Sequence, residues 1–210
     1  MKKAMVWGAG GGIGTALVKA LMEAGWTVVG VTRDSSSLTY SPSHFVEADV
    51  ADETAVRQAV KQVADRAQGT DLWIYAVGDI ESAKVDEISF GDWRRILDAN
   101  LTGAYLAVHH SLPLLAPEAH IVLLGAVSER VRLPGLSAYA AAKAGIEAFA
   151  DVLRKEQRRR RVTLVRPHAV DTSIWDKVPF NVPRGALRPE DVADRMLAAY
   201  QEGHRGVLNL

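Results

Sequence analysis

Ala4-Met5-Val6-Trp7 is a short apolar run that ends in Gly8-Ala9-Gly10-Gly11-Gly12-Ile13-Gly14, five glycines within seven residues. Beyond it, Ile13, Leu17, Leu21 and Met22 return on one face at helical spacing. The stretch reads as a buried strand, a turn almost without side chains, and the start of a helix. Such a turn lets backbone N–H groups and the positive end of a helix approach a phosphate closely. Two registers are open. G-x-G-x-x-G from Gly8 and Gly10 meets Ile13 where its last glycine is required. G-x-x-x-G-x-G through Gly8, Gly12 and Gly14 fits without a gap. A loop that merely turns the chain is the plain alternative. At the head of alternating strands and helices, the pattern points instead to a dinucleotide cradle built from Gly8, Gly10, Gly11, Gly12, Ile13 and Gly14.

The alternation continues to the end of the chain. After a helix from about Gly14 to Ala24, Gly25 stops it and Trp26 to Thr32 reads as a second strand. Phe45 to Val50 is a third strand, and Asp52 opens a helix with Val56, Val60 and Val63 at helical spacing. Asp71 to Gly78 is a buried fourth strand. A long helix is expected from about Phe90 to Leu115, broken near Pro113, and Ala119 to Leu124 is a fifth strand. A helix from Ser137 to about Arg158 leads to a sixth strand, Val162 to Val165. Pro189-Glu190-Asp191 starts the last helix, and Gly206 to Leu210 ends as a seventh strand. The strands are mostly continuous apolar runs, which predicts an α/β fold: a Rossmann-like, doubly wound parallel sheet covered on both faces. No repeat or linker divides residues 1–210, so one dinucleotide-binding domain is expected.

Composition narrows the function classes. With 48% hydrophobic and 24% charged residues the chain has the balance of a globular protein, not a disordered one. Its 25 basic and 25 acidic residues cancel, so no global pull toward nucleic acid or membrane is implied. The absence of cysteine removes disulfides, thiolate catalysis and cysteine zinc sites. His44, His109, His110, His120 and His204 show no metal-ligand spacing, and no metal is expected. No signal-like segment and no apolar stretch of membrane-spanning length is seen, so a soluble cytoplasmic protein is the expectation. Arg158 to Arg161 close a helix, where positive charge suits the carbonyl end; a solvated helix end is the reading adopted over a nucleic-acid contact.

In such a sheet, ligands bind beyond the carboxyl ends of the strands. Arg33 directly follows the second strand, where an arginine would hold the extra phosphate of NADP and an acidic residue the ribose of NAD. Thr32 precedes it and Asp34 follows, so NADP(H) is favoured over NAD(H).

These features together resemble the short-chain dehydrogenase/reductase family over essentially the whole chain. Gly8-x-x-x-Gly12-Ile13-Gly14 is similar to that family's cofactor turn, and Asp49-Val50 to its adenine-side pair. Asn100-Leu101-Thr102-Gly103 is similar to its N-x-x-G segment, and Ser137 to Ala144 to its Y-x-x-x-K helix. Pro189 to Ala193 resembles the opening of its last helix. The resemblance implies that Tyr139 protonates a substrate oxygen as hydride arrives from the nicotinamide. It implies further that Lys143 binds the nicotinamide ribose and tunes Tyr139, and that Asn100 holds a water leading from Lys143 to solvent. Ala76, Gly78, Pro167 and Thr172 fall on positions implied to touch the cofactor. The residue types suit the chemistry. Tyr139 and Lys143 lie one helical turn apart, and a neighbouring ammonium is expected to lower a phenol from its ordinary pKa near 10.

Departures from the family pattern are equally specific. Ala126 stands where the family's catalytic serine is placed, and alanine offers no hydroxyl to orient a substrate oxygen. Ser128, two positions on, is the candidate replacement if its loop bends inward, although a serine after a strand commonly just forms the turn. Tyr75-Ala76-Val77-Gly78 keeps only the glycine of the family's asparagine-rich turn, and Trp7 replaces a usual threonine. Pro167-His168 replaces Pro-Gly; His168 either donates a hydrogen bond or proton to a substrate or fills the space that the altered serine loop leaves, and the space-filling reading is the one adopted. Ile174, Trp175, Val178 and Phe180 are expected to form a small apolar cover over the site. Two functions follow. One is an NADP-dependent reductase or dehydrogenase acting on a small carbonyl or alcohol. The other is a weak or inactive NADP(H)-binding protein that senses or scaffolds. The resemblance also implies a homodimer or homotetramer.

Overall fold

The computed structural model describes residues 1–38, 40, 42–127 and 129–210. Seven strands form one parallel sheet: β1 (Lys3–Trp7), β2 (Thr27–Thr32), β3 (His44–Glu47), β4 (Thr70–Tyr75), β5 (Leu115–Leu124), β6 (Arg161–Arg166) and β7 (Gly206–Asn209). Their order is β3-β2-β1-β4-β5-β6-β7, so the chain reverses direction across the sheet between β1 and β4. That reversal opens the crevice where doubly wound folds take ligands.

Side-chain alternation along the strands builds two cores. Ala4 and Val6 of β1 join Leu72 and Ile74 of β4 on one face, under α1 (Gly12–Glu23) and α7 (Pro189–Gln201). Met5 and Trp7 join Trp73, Tyr75, Ile121 and Leu123 on the other. That second face is covered by α2 (Glu53–Gln62), the single turn α3 (Ala64–Ala67), α5 (Gly103–Ser111) and α6 (Ser137–Glu156). Local chemistry sets the helix ends. Asp52 caps α2 by accepting from the N–H groups of Thr54 and Ala55, and Ser89 caps α4 (Phe90–Leu97) by accepting from that of Asp92. Gly25, at φ +79°, ends α1 as expected.

The helix expected from Phe90 to Leu115 is four pieces. A π-helical turn, Asp98–Thr102, separates α4 from α5, and a 3-10 turn at Leu112–Leu114 leads into β5, which starts at Leu115 instead of Ala119. Within the π-turn the carbonyl of Ala99 accepts from the Tyr75 hydroxyl at 2.7 Å. A Cβ on Gly103 would stand 2.6 Å from that hydroxyl, so only glycine fits beside it. The third and fourth strands end earlier than expected, at Glu47 and Tyr75, and residues 76–78 belong to the turn beyond the sheet.

At the opposite end of the sheet His120 is buried, with Nε2 2.8 Å from Thr163 Oγ1 and its ring stacked on Tyr200. Burial, reinforced by Arg161, His204 and Arg205, pushes its pKa down to about 3. The unfolded chain therefore binds one more proton than the folded chain between about pH 3 and pH 6.5, and stability falls as pH falls through that window. Urea unfolding at pH 7.5 and pH 5 should show His120→Gln losing about 2 kcal/mol less than the unsubstituted protein across that interval. Equal losses in both proteins would refute the assignment.

Candidate functional site

The turns after β1, β4, β5 and β6 converge on one cavity of about 730 Å³ at the carboxyl edge of the sheet. Gly11, Gly12 and Ile13 form one wall, and Ala76, Val77 and Gly78 the next. The backbone there is packed too closely for side chains. Gly8 has φ +85°, and a Cβ on it would stand 2.8 Å from the Ala76 carbonyl carbon. A Cβ on Gly14 would lie 1.9 Å from the Gly8 carbonyl oxygen. A Cβ on Gly12 would meet the Thr172 methyl at 2.6 Å, and one on Gly10 would meet Ser37 Oγ at 2.1 Å. The register through Gly8, Gly12 and Gly14 is thus the one the packing requires. Gly11 precedes α1 without any side-chain cap, so the first N–H groups of that helix are left to an outside acceptor.

The adenine-side candidates lie around the ends of β2 and β3. Arg33 is exposed directly after β2. Asp34 is occupied by its own turn: its carboxylate accepts from the Ser36 N–H at 2.8 Å, and hydrogen bonds from Ser36 hold its pKa below the ordinary value. Asp49 is exposed, with its carboxylate accepting from the Ala51 N–H, and Val50 is buried beside Gly103.

Tyr139 and Lys143 project from α6 into the same cavity. Lys143 is only 4% exposed, its Nζ donates to the Leu124 carbonyl at 3.1 Å, and it lies 5.4 Å from the centre of the Tyr139 ring. The expected lowering of Tyr139 by the ammonium is corrected here. Burial dominates both groups, pushing Tyr139 up to about 12 and Lys143 down to about 8. A desolvated ammonium over the face of the ring does not offset the phenolate's lost hydration. Asn100, in the π-turn, is fully buried; its Nδ2 donates to the carbonyls of Asp79 (2.7 Å) and Ile96 (2.8 Å). Its Oδ1 makes no hydrogen bond with the described protein atoms.

Ala126 is buried and lines the cavity, with its carbonyl accepting from Arg166 Nε at 3.2 Å. Arg166 also pairs with Glu129 and Glu147, which pins the loop after β5 from behind. Ser128 lies outside the described residues. Pro167 and Thr172 line the cavity and are half-buried. His168 also lines it but is exposed, so the space-filling reading of this residue is corrected: its ring is not packed into a gap. The expected cover is present. Ile174, Trp175, Val178 and Phe180 line the cavity from a loop whose two ends are joined by a bridge between Val170 and Leu187.

Sequence reading missed Asp79, Arg95 and Lys177, which form an ion-pair cluster that reaches the cavity through Lys177. The only available signal was an acid placed directly after the Gly78 turn.

The sequence matches the family model described as short chain dehydrogenase over residues 2–181, and the chain belongs to that family. An uncharacterized oxidoreductase of Staphylococcus epidermidis is 30% identical over 208 residues, covering 94% of this chain and 90% of the relative. One from Staphylococcus aureus is 28% identical over 210 residues with the same coverage. Among solved structures, the aldohexose dehydrogenase of Thermoplasma acidophilum superposes with a TM-score of 0.88 at 20% identity, covering 100% of this chain and 92% of that one. The alcohol dehydrogenase of Thermococcus sibiricus complexed with 5-hydroxy-NADP gives 0.90 at 22%, covering 100% and 96%. The 3-ketoacyl-(acyl-carrier-protein) reductase of Brucella melitensis complexed with NADH gives 0.88 at 22%, with the same coverage. At these identities the structural likeness is one of fold.

The glycine contacts separate two substitutions. Gly14→Ala should cost about 3 kcal/mol, because its methyl meets fixed backbone. Gly11→Ala, with 3.4 Å of clearance, should leave stability nearly unchanged. Urea midpoints of the two variants check this, and similar values would contradict the packing account.

Proposed function

We propose that the protein is an NADP(H)-dependent reductase that converts a small, largely apolar carbonyl compound to an alcohol. The observation that carries this reading is a shared cavity: Tyr139 and Lys143 open onto the same space as Gly11, Gly12 and Ile13. The residues fit a dinucleotide. The uncapped start of α1 and the side-chain-free turn from Gly8 to Gly14 suit its pyrophosphate, with Thr172 closing over Gly12. Asp49 and Val50 would border the adenine, and Ala76, Gly78 and Pro167 the path toward the nicotinamide. Arg33 supports NADP(H), since the acids at the end of β2 are engaged by the turn there: Asp34 accepts from the Ser36 N–H, and Glu47, paired beside Thr32, from the Ser35 N–H. When bound, the reduced nicotinamide supplies a hydride equivalent.

The chain's own residues would handle the proton. With its pKa pushed up to about 12, Tyr139 is a neutral phenol at physiological pH and can donate to a substrate oxygen, which favours the reductive direction. Lys143 would hold the nicotinamide ribose and help return a proton to Tyr139. Asn100 Oδ1, buried and unpartnered, is an acceptor for a water on that route. Ile80, Val127, Leu136 and Phe180 wall the substrate end and exclude water. Ser128 remains the candidate to orient the substrate oxygen. Phe90, Tyr105 and Val152, exposed on α4, α5 and α6, support pairing with a second copy of the chain.

Ala126 favours a second reading, a nucleotide-binding protein with little turnover that senses or scaffolds. Fluorescence energy transfer from the five tryptophans to NADPH and NADH tests what both readings share. NADPH should bind more tightly, and Arg33→Ala should erase about tenfold of that preference. Failure of either nucleotide to bind would overturn both. A screen of carbonyl compounds then separates them. Under the reductase reading Tyr139→Phe lowers turnover by about a hundredfold or more while nucleotide affinity stays unchanged. No turnover in the unsubstituted protein would leave the binding reading.

A further inference from the structure

Asp79 is buried between Gly78 and Ile80, two residues that line the cavity. Burial alone would raise its carboxyl, but hydrogen bonds and charges from Lys177 and Arg95 outweigh it and hold the group below the usual carboxylate range. A carboxylate in such a place must be paired. Its ties reach three separate elements. Lys177 Nζ donates to Asp79 Oδ1 at 2.5 Å, and Lys177 closes the 3-10 segment Ser173–Lys177 of the covering loop. Arg95 of α4 donates to Oδ2 and is also shared with Glu81 and Asp92. The backbone carbonyl of Asp79 accepts from Asn100 Nδ2 at 2.7 Å.

Among the described residues, the other hydrogen bonds of the covering loop close its base or stay within it. Asp171 and Leu187 N–H groups donate to the carbonyls of Leu187 and Ala169, and Trp175 Nε1 donates to the Val170 carbonyl at 2.8 Å. Among the described residues, Lys177 to Asp79 is the side-chain hydrogen bond and ion pair that carries this loop across to the opposite wall. Exposed lysine–carboxylate pairs contribute little. This one differs because its acid is buried and because the same residue fixes Asn100.

We propose that Asp79 is a positioning residue that sets two parts of the site together. Through its side chain it holds the covering loop down over the cavity, and through its main chain it orients Asn100 in the π-turn. Its bearing on catalysis rests on the reductase reading, whereas the tether is a property of the chain alone.

Hydrogen exchange on the full chain without nucleotide tests the tether. Lys177 is half-exposed and its removal leaves Asp79 paired with Arg95, so Lys177→Met should fold normally. Exchange across residues 173–186 should quicken about tenfold, and exchange across residues 98–102 should quicken with it. Arg95→Met, which removes a cation from the same carboxylate without touching the loop, should leave residues 173–186 unchanged. Asp79→Asn should reproduce the loop effect. Faster exchange in the loop without any change at the π-turn would overturn the coupling. An unchanged loop in Lys177→Met, or equal loosening in Arg95→Met, would overturn the tether itself. Titration of the unsubstituted protein with NADPH reports separately: failure to bind would remove the reductase reading and leave the tether standing.

Discussion

The Gly8 carbonyl lies where a Cβ on residue 14 would come within 1.9 Å, and Gly8 itself presses against the Ala76 backbone. These two approaches bring the turn after β1, the start of α1 and the turn after β4 into one packed unit. Close backbone packing is possible only where side chains are missing, and it aims the free N–H groups of α1 along a surface that offers an anion no steric obstacle. The rest of the cavity is arranged against that unit: Thr172 closes on Gly12, the covering loop follows from β6, and α6 brings Tyr139 and Lys143 to the same space.

A second competition, between hydration and charge, governs the middle of the cavity. Tyr139 and Lys143 are drawn out of water together, and burial acts on them in opposite directions, raising the phenol and lowering the ammonium. Tyr139 is held as a neutral phenol, and Lys143, lowered to about 8, stays largely an ammonium near neutral pH but gives up its proton more readily than an ordinary lysine. Asp79 follows the other course. Two cations offset its burial and it stays ionised, which lets it serve as an anchor for charged neighbours. One region thus holds a phenol and a weakened ammonium for proton movement and a charged cluster for mechanical connection.

The π-turn gathers two polar contacts in one short segment. Tyr75, at the end of a buried strand, finds a partner for its hydroxyl in the Ala99 carbonyl of that turn. The same turn carries Asn100 into the interior, where one amide N–H group reaches Asp79 and another reaches back to Ile96.

Much of this was legible in the residues. Apolar runs, with Gly25 stopping the first helix, gave the alternation, hence the parallel sheet, and glycine spacing distinguished the Gly8-Gly12-Gly14 register before packing showed why it is needed. The spacing of Tyr139 and Lys143 placed them on one helix face. Three things were not legible. Periodicity passes smoothly through Asp98–Thr102, although the structure has a π-turn there whose Ala99 carbonyl meets a hydroxyl distant in sequence. The direction of the Tyr139 shift depended on how deeply both partners are buried, a quantity that spacing along a helix does not contain. The Asp79, Arg95 and Lys177 cluster joins residues 98 positions apart at its extremes, Asp79 and Lys177. Sequence determined which segments are strands, which turn lacks side chains and which helix face bears the polar pair, because these depend on neighbours along the chain. Tertiary structure decided which charges survive burial and which loops are tied together, because desolvation and ion pairing depend on neighbours in space.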